Sequence, residues 1–176
     1  KSVQNSAPDL QSPLSPFNIE RVVSIVEIFL SEIKNREKVL FAFNNPENKL
    51  ENVFDNYRTM LEIPLYIASR NDFHLFPDWW TVFQNNYHDA KEFWGRDVDS
   101  VLKNIEMYSV DYIIIYQNSP TEIASNFLKY NFSIVAELDW GKTENALNGY
   151  KLWKSNHPPK WWLLRCPKTY ENRLTK

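Results

Sequence analysis

Three short segments carry side chains suited to chemistry: Asn44-Asn45, Asp78-Trp79-Trp80 and Gln117-Asn118. Primary amides offer paired donors and acceptors, and an indole offers an apolar face with one N–H. Together they suit a neutral polyhydroxyl ligand such as a sugar, held by bidentate hydrogen bonds and by stacking on its C–H faces. The same Asn and Asp residues, with Ser119 and Pro120, are also ordinary turn formers, so each segment has a structural reading beside the binding one. Titratable pairs are sparser. His74 and Asp78 stand four apart and His88-Asp89 are adjacent. A metal centre needs at least three convergent ligands with supporting hydrogen bonds, so no metal is expected. Asp72, Asp78, Asp89, Asp97 and Asp99 could pair as acid and base, although their positions beside turns and helix starts suit capping. Asn131-Phe132-Ser133 matches a glycosylation sequon at the start of a predicted strand.

Glycine excludes more than any motif supplies. The chain has 3 glycines in 176 residues, where roughly 7% is usual. G-x-S-x-G, G-x-G-x-x-G and the G-K-[ST] phosphate loop all need glycines that are absent, and there is no H-E-x-x-H. No cofactor is expected. Cys166 is the single cysteine, so no internal disulfide forms, and Trp162, Leu163 and Leu164 beside it mark a buried strand thiol.

The elements that must position the three segments follow from periodicity. Residues 1–17, rich in Ser and Pro, read as a flexible linker. Ile19, Val22, Val23, Val26, Phe29, Leu30 and Ile33 recur at helical spacing behind Asn18 as N-cap. Val39 to Phe43 is a continuously apolar run typical of a strand buried on both faces, stopped by Asn44-Asn45-Pro46. Leu50, Val53, Phe54, Tyr57, Met60 and Leu61 form a second helical stripe, which Pro64 should break or kink. Phe73 to Phe76 reads as a short strand. Asp97 caps a helix through Val98, Val101, Leu102, Ile105 and Tyr108, and Val110 to Tyr116 is the strongest strand signal. Ser119-Pro120-Thr121-Glu122 opens a further helix with Ile123, Ala124, Phe127 and Leu128 facing the core. Phe132 to Leu138, Tyr150 to Trp153 and Trp161 to Cys166 complete the strands.

This order predicts an α/β fold: a three-layer, mostly parallel, Rossmann-like sheet with antiparallel C-terminal edge strands. One domain is expected over 18–168, with a C-terminal tail at 169–176. In open parallel sheets ligands bind outside the carboxyl ends of the strands, and that rule selects the three segments above.

Charge is uneven. Residues 1–141 hold 12 Lys+Arg against 20 Asp+Glu, a net of −8, whereas residues 142–176 hold 8 against 2, a net of +6. The whole chain, at −2 and pI about 6.0, has no nucleic-acid signature. The basic tail with Trp153, Trp161 and Trp162 has two readings: contact with anionic lipid headgroups, or a terminal strand with solvated lysines. No stretch approaches 18 apolar residues, and no signal-peptide pattern stands at the start. The chain begins at Lys1 rather than Met, so any missing part is expected upstream.

Val110-Asp111-Tyr112-Ile113-Ile114-Ile115-Tyr116, then a capped helix, then Asn131-Phe132-Ser133-Ile134-Val135, and finally Trp161-Trp162-Leu163-Leu164-Arg165 form a series. It resembles the C-terminal domain of polytopic GT-C-type membrane glycosyltransferases over roughly Val39 to Arg165. The resemblance implies a soluble, extracytoplasmic domain, membrane-associated through an upstream transmembrane region, on the periplasmic or lumenal face. Its partner would be a glycan or lipid-linked sugar. The catalytic acidic residues of such enzymes lie in loops of the transmembrane part, so no catalytic residue is carried over. The domain would support or bind substrate rather than catalyse.

Ala124 to Glu137 followed by Gly149-Tyr150-Lys151-Leu152 resembles the late helix and strands of GNAT-type acyltransferases. No glycine occurs between Gly95 and Gly141, so the backbone cradle for coenzyme A is missing and only a degenerate member of that family would fit. A protein-interaction module using the aromatic stretch Trp79 to Trp94 is the third alternative.

Overall fold

The computed structural model describes residues 16–43, 57–76, 98–117, 127–146 and 160–168. Within them the chain runs α1 (Pro16–Phe29), β1 (Lys38–Phe43), α2 (Tyr57–Asn71), β2 (His74–Phe76) and α3 (Val98–Tyr108). It continues through β3 (Tyr112–Gln117), β4 (Ser133–Asp139), α4 (Trp140–Ala146) and β5 (Lys160–Arg165). The strands form one five-stranded mixed sheet in the order β2-β1-β3-β5-β4.

The pattern of burial explains that order. β1 and β3 are apolar at consecutive positions, so both of their faces must be covered. Val39, Leu40 and Phe41 on β1, and Ile113, Ile114 and Ile115 on β3, are all buried. Val39, Phe41, Tyr112 and Ile114 pack under α1 and α2, against Val22, Val26, Phe29, Ile63 and Ile67. Leu40, Ile113 and Ile115 pack on the other face, against Val101 and Ile105 of α3 and against Phe127. The sheet is thus covered on both sides by helices, as the βαβ alternation requires. β2, β1 and β3 pair in parallel, while β5 is antiparallel to both β3 and β4. Antiparallel pairing is confined to the side built by the C-terminal strands, as expected. There β5 inserts between β3 and β4, because its run Trp161-Trp162-Leu163-Leu164 needs cover on two faces and on both edges. β4 exposes Ser133, Ile134 and Glu137 and forms the rim of the described sheet.

One local expectation is corrected and another is narrowed. α1 starts at Pro16, so Asn18 lies inside the helix rather than capping it. Proline suits a first helical position, where its missing N–H has no intrahelical acceptor in any case. Of the break or kink expected at Pro64, the break does not occur: α2 continues through it. An internal proline costs a helix about 3 kcal/mol. Burial of Ile63, Leu65, Ile67 and Ala68 around it offsets that cost. The predicted elements at Leu50 to Phe54, Ser119 to Glu122 and Tyr150 to Trp153, the aromatic stretch Trp79 to Trp94 and the cap Asp97 lie outside the described residues.

The scarcity of glycine leaves a mark on the turns. Arg36, Asp72, Ser109 and Asn131 hold φ of 65°, 54°, 53° and 67°, and each stands shortly before a strand. At the end of α3, Val110 N–H donates to Ile105 O and Ser109 N–H to Glu106 O, the paired bonds of a left-handed helix stop. Such a position normally takes glycine, because a Cβ there crowds the backbone. Replacing Ser109 by Gly is therefore expected to raise stability by roughly 0.5–1 kcal/mol, after the entropy glycine adds to the unfolded chain. An upward shift of the urea midpoint with an unchanged slope would register it.

Candidate binding site

The order β2-β1-β3 contains a reversal. From β1 the chain moves through α2 to β2 on one side, then returns through α3 to β3 on the other side. The two connecting helices lie on opposite faces of the sheet, so the carboxyl ends of β1 and β3 border a topological switch point. Register keeps those ends level: Phe43, the last residue of β1, pairs with Tyr116. Asn44 follows Phe43 directly in the chain, and Gln117 follows Tyr116.

Of the candidate residues, Gln117 is described as the last residue of β3, paired with Lys160. Asn44, Asn45, Asp78, Trp79, Trp80 and Asn118 lie outside the described residues. The segments at Asn44-Asn45 and Gln117-Asn118 continue adjacent strands. Asp78-Trp79-Trp80 continues β2, on the far side of β1. His74 starts β2 and pairs with Lys38, at the opposite end of the sheet. It is exposed, and its ring lies tilted against that of Phe76, with centroids 4.3 Å apart.

Insertion of β5 brings residues to the switch-point end that spacing in the sequence did not reveal. Lys160 opens β5 between the ends of β3 and β4, paired with Gln117 and with Asp139. Its Nζ donates to Glu137 Oε1 at 3.0 Å and lies 3.8 Å from Asp139 Oδ2. The hydrogen bond to Glu137, with the charge of that carboxylate, holds the ammonium above its ordinary pKa. One cation shared by two carboxylates leaves the cluster net negative, which suits hydroxyl groups better than a phosphate. Asp139 also caps α4, its Oδ1 accepting from Gly141 N–H at 3.0 Å and Lys142 N–H at 3.3 Å.

Next along β5, Trp161 is 1% exposed. It packs edge-on against Phe41 and Trp140, each with ring centroids 5.1 Å away, and tilted against Phe29 at 6.2 Å. Trp162 is half-buried on the opposite face, beside Ile115 and Glu137 in register. The indole N–H groups of Trp161 and Trp162 are buried without an acceptor among the described residues. Both indoles belong to the terminal strand β5. Trp161 serves the core and Trp162 packs half-buried against the other face, while Trp153 lies outside the described residues.

Comparison with protein-family models, with curated proteins and with solved structures finds no match.

The opposite end of the sheet is a structural clasp. The Asp111 carboxylate accepts from Lys38 N–H at 2.9 Å, Asp111 N–H donates to Lys38 O at 2.8 Å, and Asp111 O accepts from Cys166 N–H at 2.8 Å. One aspartate thus ties the start of β1, the start of β3 and the end of β5. Cys166 is buried there, 6% exposed, as its neighbours implied. Arg165 lies 4.9 Å over the Tyr112 ring, and the Tyr112 hydroxyl donates to Glu32 O at 3.4 Å. Burial first, and the Glu37 charge second, raise the Tyr112 pKa above its ordinary value. Among the described residues, no group of three His, Cys, Asp or Glu converges to hold a metal ion, and no helix is long and apolar enough to cross a membrane.

Proposed function

We propose that this chain is the extracytoplasmic domain of a membrane glycosyltransferase-like protein. It binds a glycan or lipid-linked sugar at the carboxyl ends of β1 and β3, and catalysis lies elsewhere. The observation that carries the reading is the reversal of strand order between β1 and β3, the position where open α/β sheets take their ligands. Amide-rich continuations of those two strands support a polyhydroxyl ligand, and so does the net-negative Lys160, Glu137 and Asp139 cluster beside them. The doubly covered parallel core accords with a Rossmann-like scaffold that carries the site at one end.

Titration calorimetry with a polyprenyl-phosphate-linked hexose tests the site. Asn45→Ala and Gln117→Ala are each expected to weaken binding about tenfold, the worth of one lost hydrogen bond of about 1.4 kcal/mol. Asp78→Ala and Trp79→Ala are expected to weaken it less, since their segment continues β2. Binding unchanged by all four substitutions removes the site. Attachment is tested apart, by reading the frame upstream of Lys1 for apolar spans of about 20 residues.

A further inference from the structure

We propose that Asn131 is an N-glycosylation acceptor, a reading that rests on the extracytoplasmic setting proposed above. Asn131-Phe132-Ser133 is the only Asn-x-Ser/Thr triplet without proline in the chain. Its three residues are disposed as an acceptor requires. Asn131 is exposed, in a left-handed turn with φ of 67°. Its backbone N–H donates to Leu128 O, while its side-chain amide makes no hydrogen bond among the described residues. Ser133, whose hydroxyl completes the triplet, is also exposed as the first residue of β4. Phe132 between them is 4% exposed and packs edge-on against Phe127, with ring centroids 5.3 Å apart. The buried ring pins the turn and leaves both polar partners facing water, so a glycan adds no burden to the core.

The position also has a use. β4 is the rim of the described sheet and exposes 46% of Ile134 directly after the triplet. An open rim strand with an exposed apolar residue invites pairing with another chain. A bulky hydrated glycan at its first turn obstructs that approach. In the transfer, Asn131 Nδ2 bonds to C1 of the sugar of a polyprenyl-pyrophosphate-linked oligosaccharide. The C1–O bond to pyrophosphate breaks, the polyprenyl pyrophosphate leaves with the electron pair, and one amide proton is released. Nothing is oxidised or reduced.

The test is expression of the whole chain behind a heterologous cleavable signal in cultured secretory eukaryotic cells. The expected result is a slower-migrating form that peptide-N-glycosidase collapses, lost in Asn131→Gln and Ser133→Ala and kept in Ser133→Thr. Secreted chain with no shift, or a shift that persists in Asn131→Gln, overturns the proposal. Because the experiment supplies the signal, failure falls on the acceptor site and not on the compartment reading, which the upstream frame tests.

Discussion

Trp161→Ala is expected to remove about 3–5 kcal/mol of stability, the usual range for truncating a buried Trp. For a domain holding 5–15 kcal/mol in total, that is a large share. The size follows from position. Trp161 sits on the central antiparallel strand, 1% exposed, and bridges β1 through Phe41, α1 through Phe29 and the start of α4 through Trp140. No neighbouring side chain can fill the space without abandoning one of those contacts, so the cavity term is added to the lost transfer term. Thermal unfolding followed by far-UV circular dichroism should show a drop of roughly 6–20 °C. Trp161→Phe separates two contributions. It keeps an aromatic ring at the junction and deletes an N–H that has no acceptor among the described residues. A buried unpaired donor costs about 1–3 kcal/mol. Deleting it should recover much of the loss, leaving Trp161→Phe well above Trp161→Ala. Equal destabilisation by the two would show that the N–H is satisfied in solution.

Much of this fold was legible because its strongest signals are local. The runs Val39 to Phe41 and Ile113 to Ile115 lack alternation, which means cover on two faces and therefore helices on both sides. Val101 and Ile105, one helical turn apart, mark the face that α3 buries. What local pattern could not supply was the place of β5. Its antiparallel sense was expected because no helix was read before it, yet the short helix α4 stands between β4 and β5; its insertion between β3 and β4 depends on pairing with residues distant in sequence. The comparison that reveals it is between strands: Trp161 to Leu164 is continuously apolar, whereas β4 carries exposed Ser133, Ile134 and Glu137. Pro64 left break and kink both open for the complementary reason. Its local cost is real, and only the packing of α2 on the sheet shows what overrides it.

The site was legible at the level of a rule rather than of side chains. Strand ends could be located, and the carboxyl-end rule selected the segments after them. Sequence order alone ranked those segments equally. Strand order separates them: Asn44 and Gln117 continue neighbouring strands, while Asp78 continues a strand on the other side of β1. Lys160, Glu137 and Asp139 were missed as a group, because 20 residues lie between Asp139 and Lys160 and only the register of β4 with β5 unites them. Asp111 shows the converse risk. An acidic residue at a strand start in a resemblance-bearing segment invites a chemical role, yet its carboxylate is occupied by the Lys38 backbone N–H and its carbonyl by that of Cys166.

Ile113→Ala and Ile114→Ala are each expected to cost about 2–5 kcal/mol, while Ile134→Ala should cost less than about 1 kcal/mol. The substitution is the same in all three, so the differences report the architecture. Ile113 and Ile114 are both 0% exposed, and they face opposite sides of β3, one under α3 and the other under α1 and α2. A sheet covered on one face only would make one of the two cheap. Ile134 is 46% exposed on β4 and has little apolar surface to lose. Had β4 been interior, with β5 at the rim, Ile134→Ala would approach the cost of the central pair. Urea midpoints at constant slope supply all three values on one scale. A cheap Ile113 would mean that α3 does not close its face of the sheet. The switch point would then lose one of its walls, because the reversal between β1 and β3 creates a crevice only where helices leave on opposite faces. The stability of two neighbouring isoleucines on β3 is thus a test of the scaffold on which the proposed binding site depends.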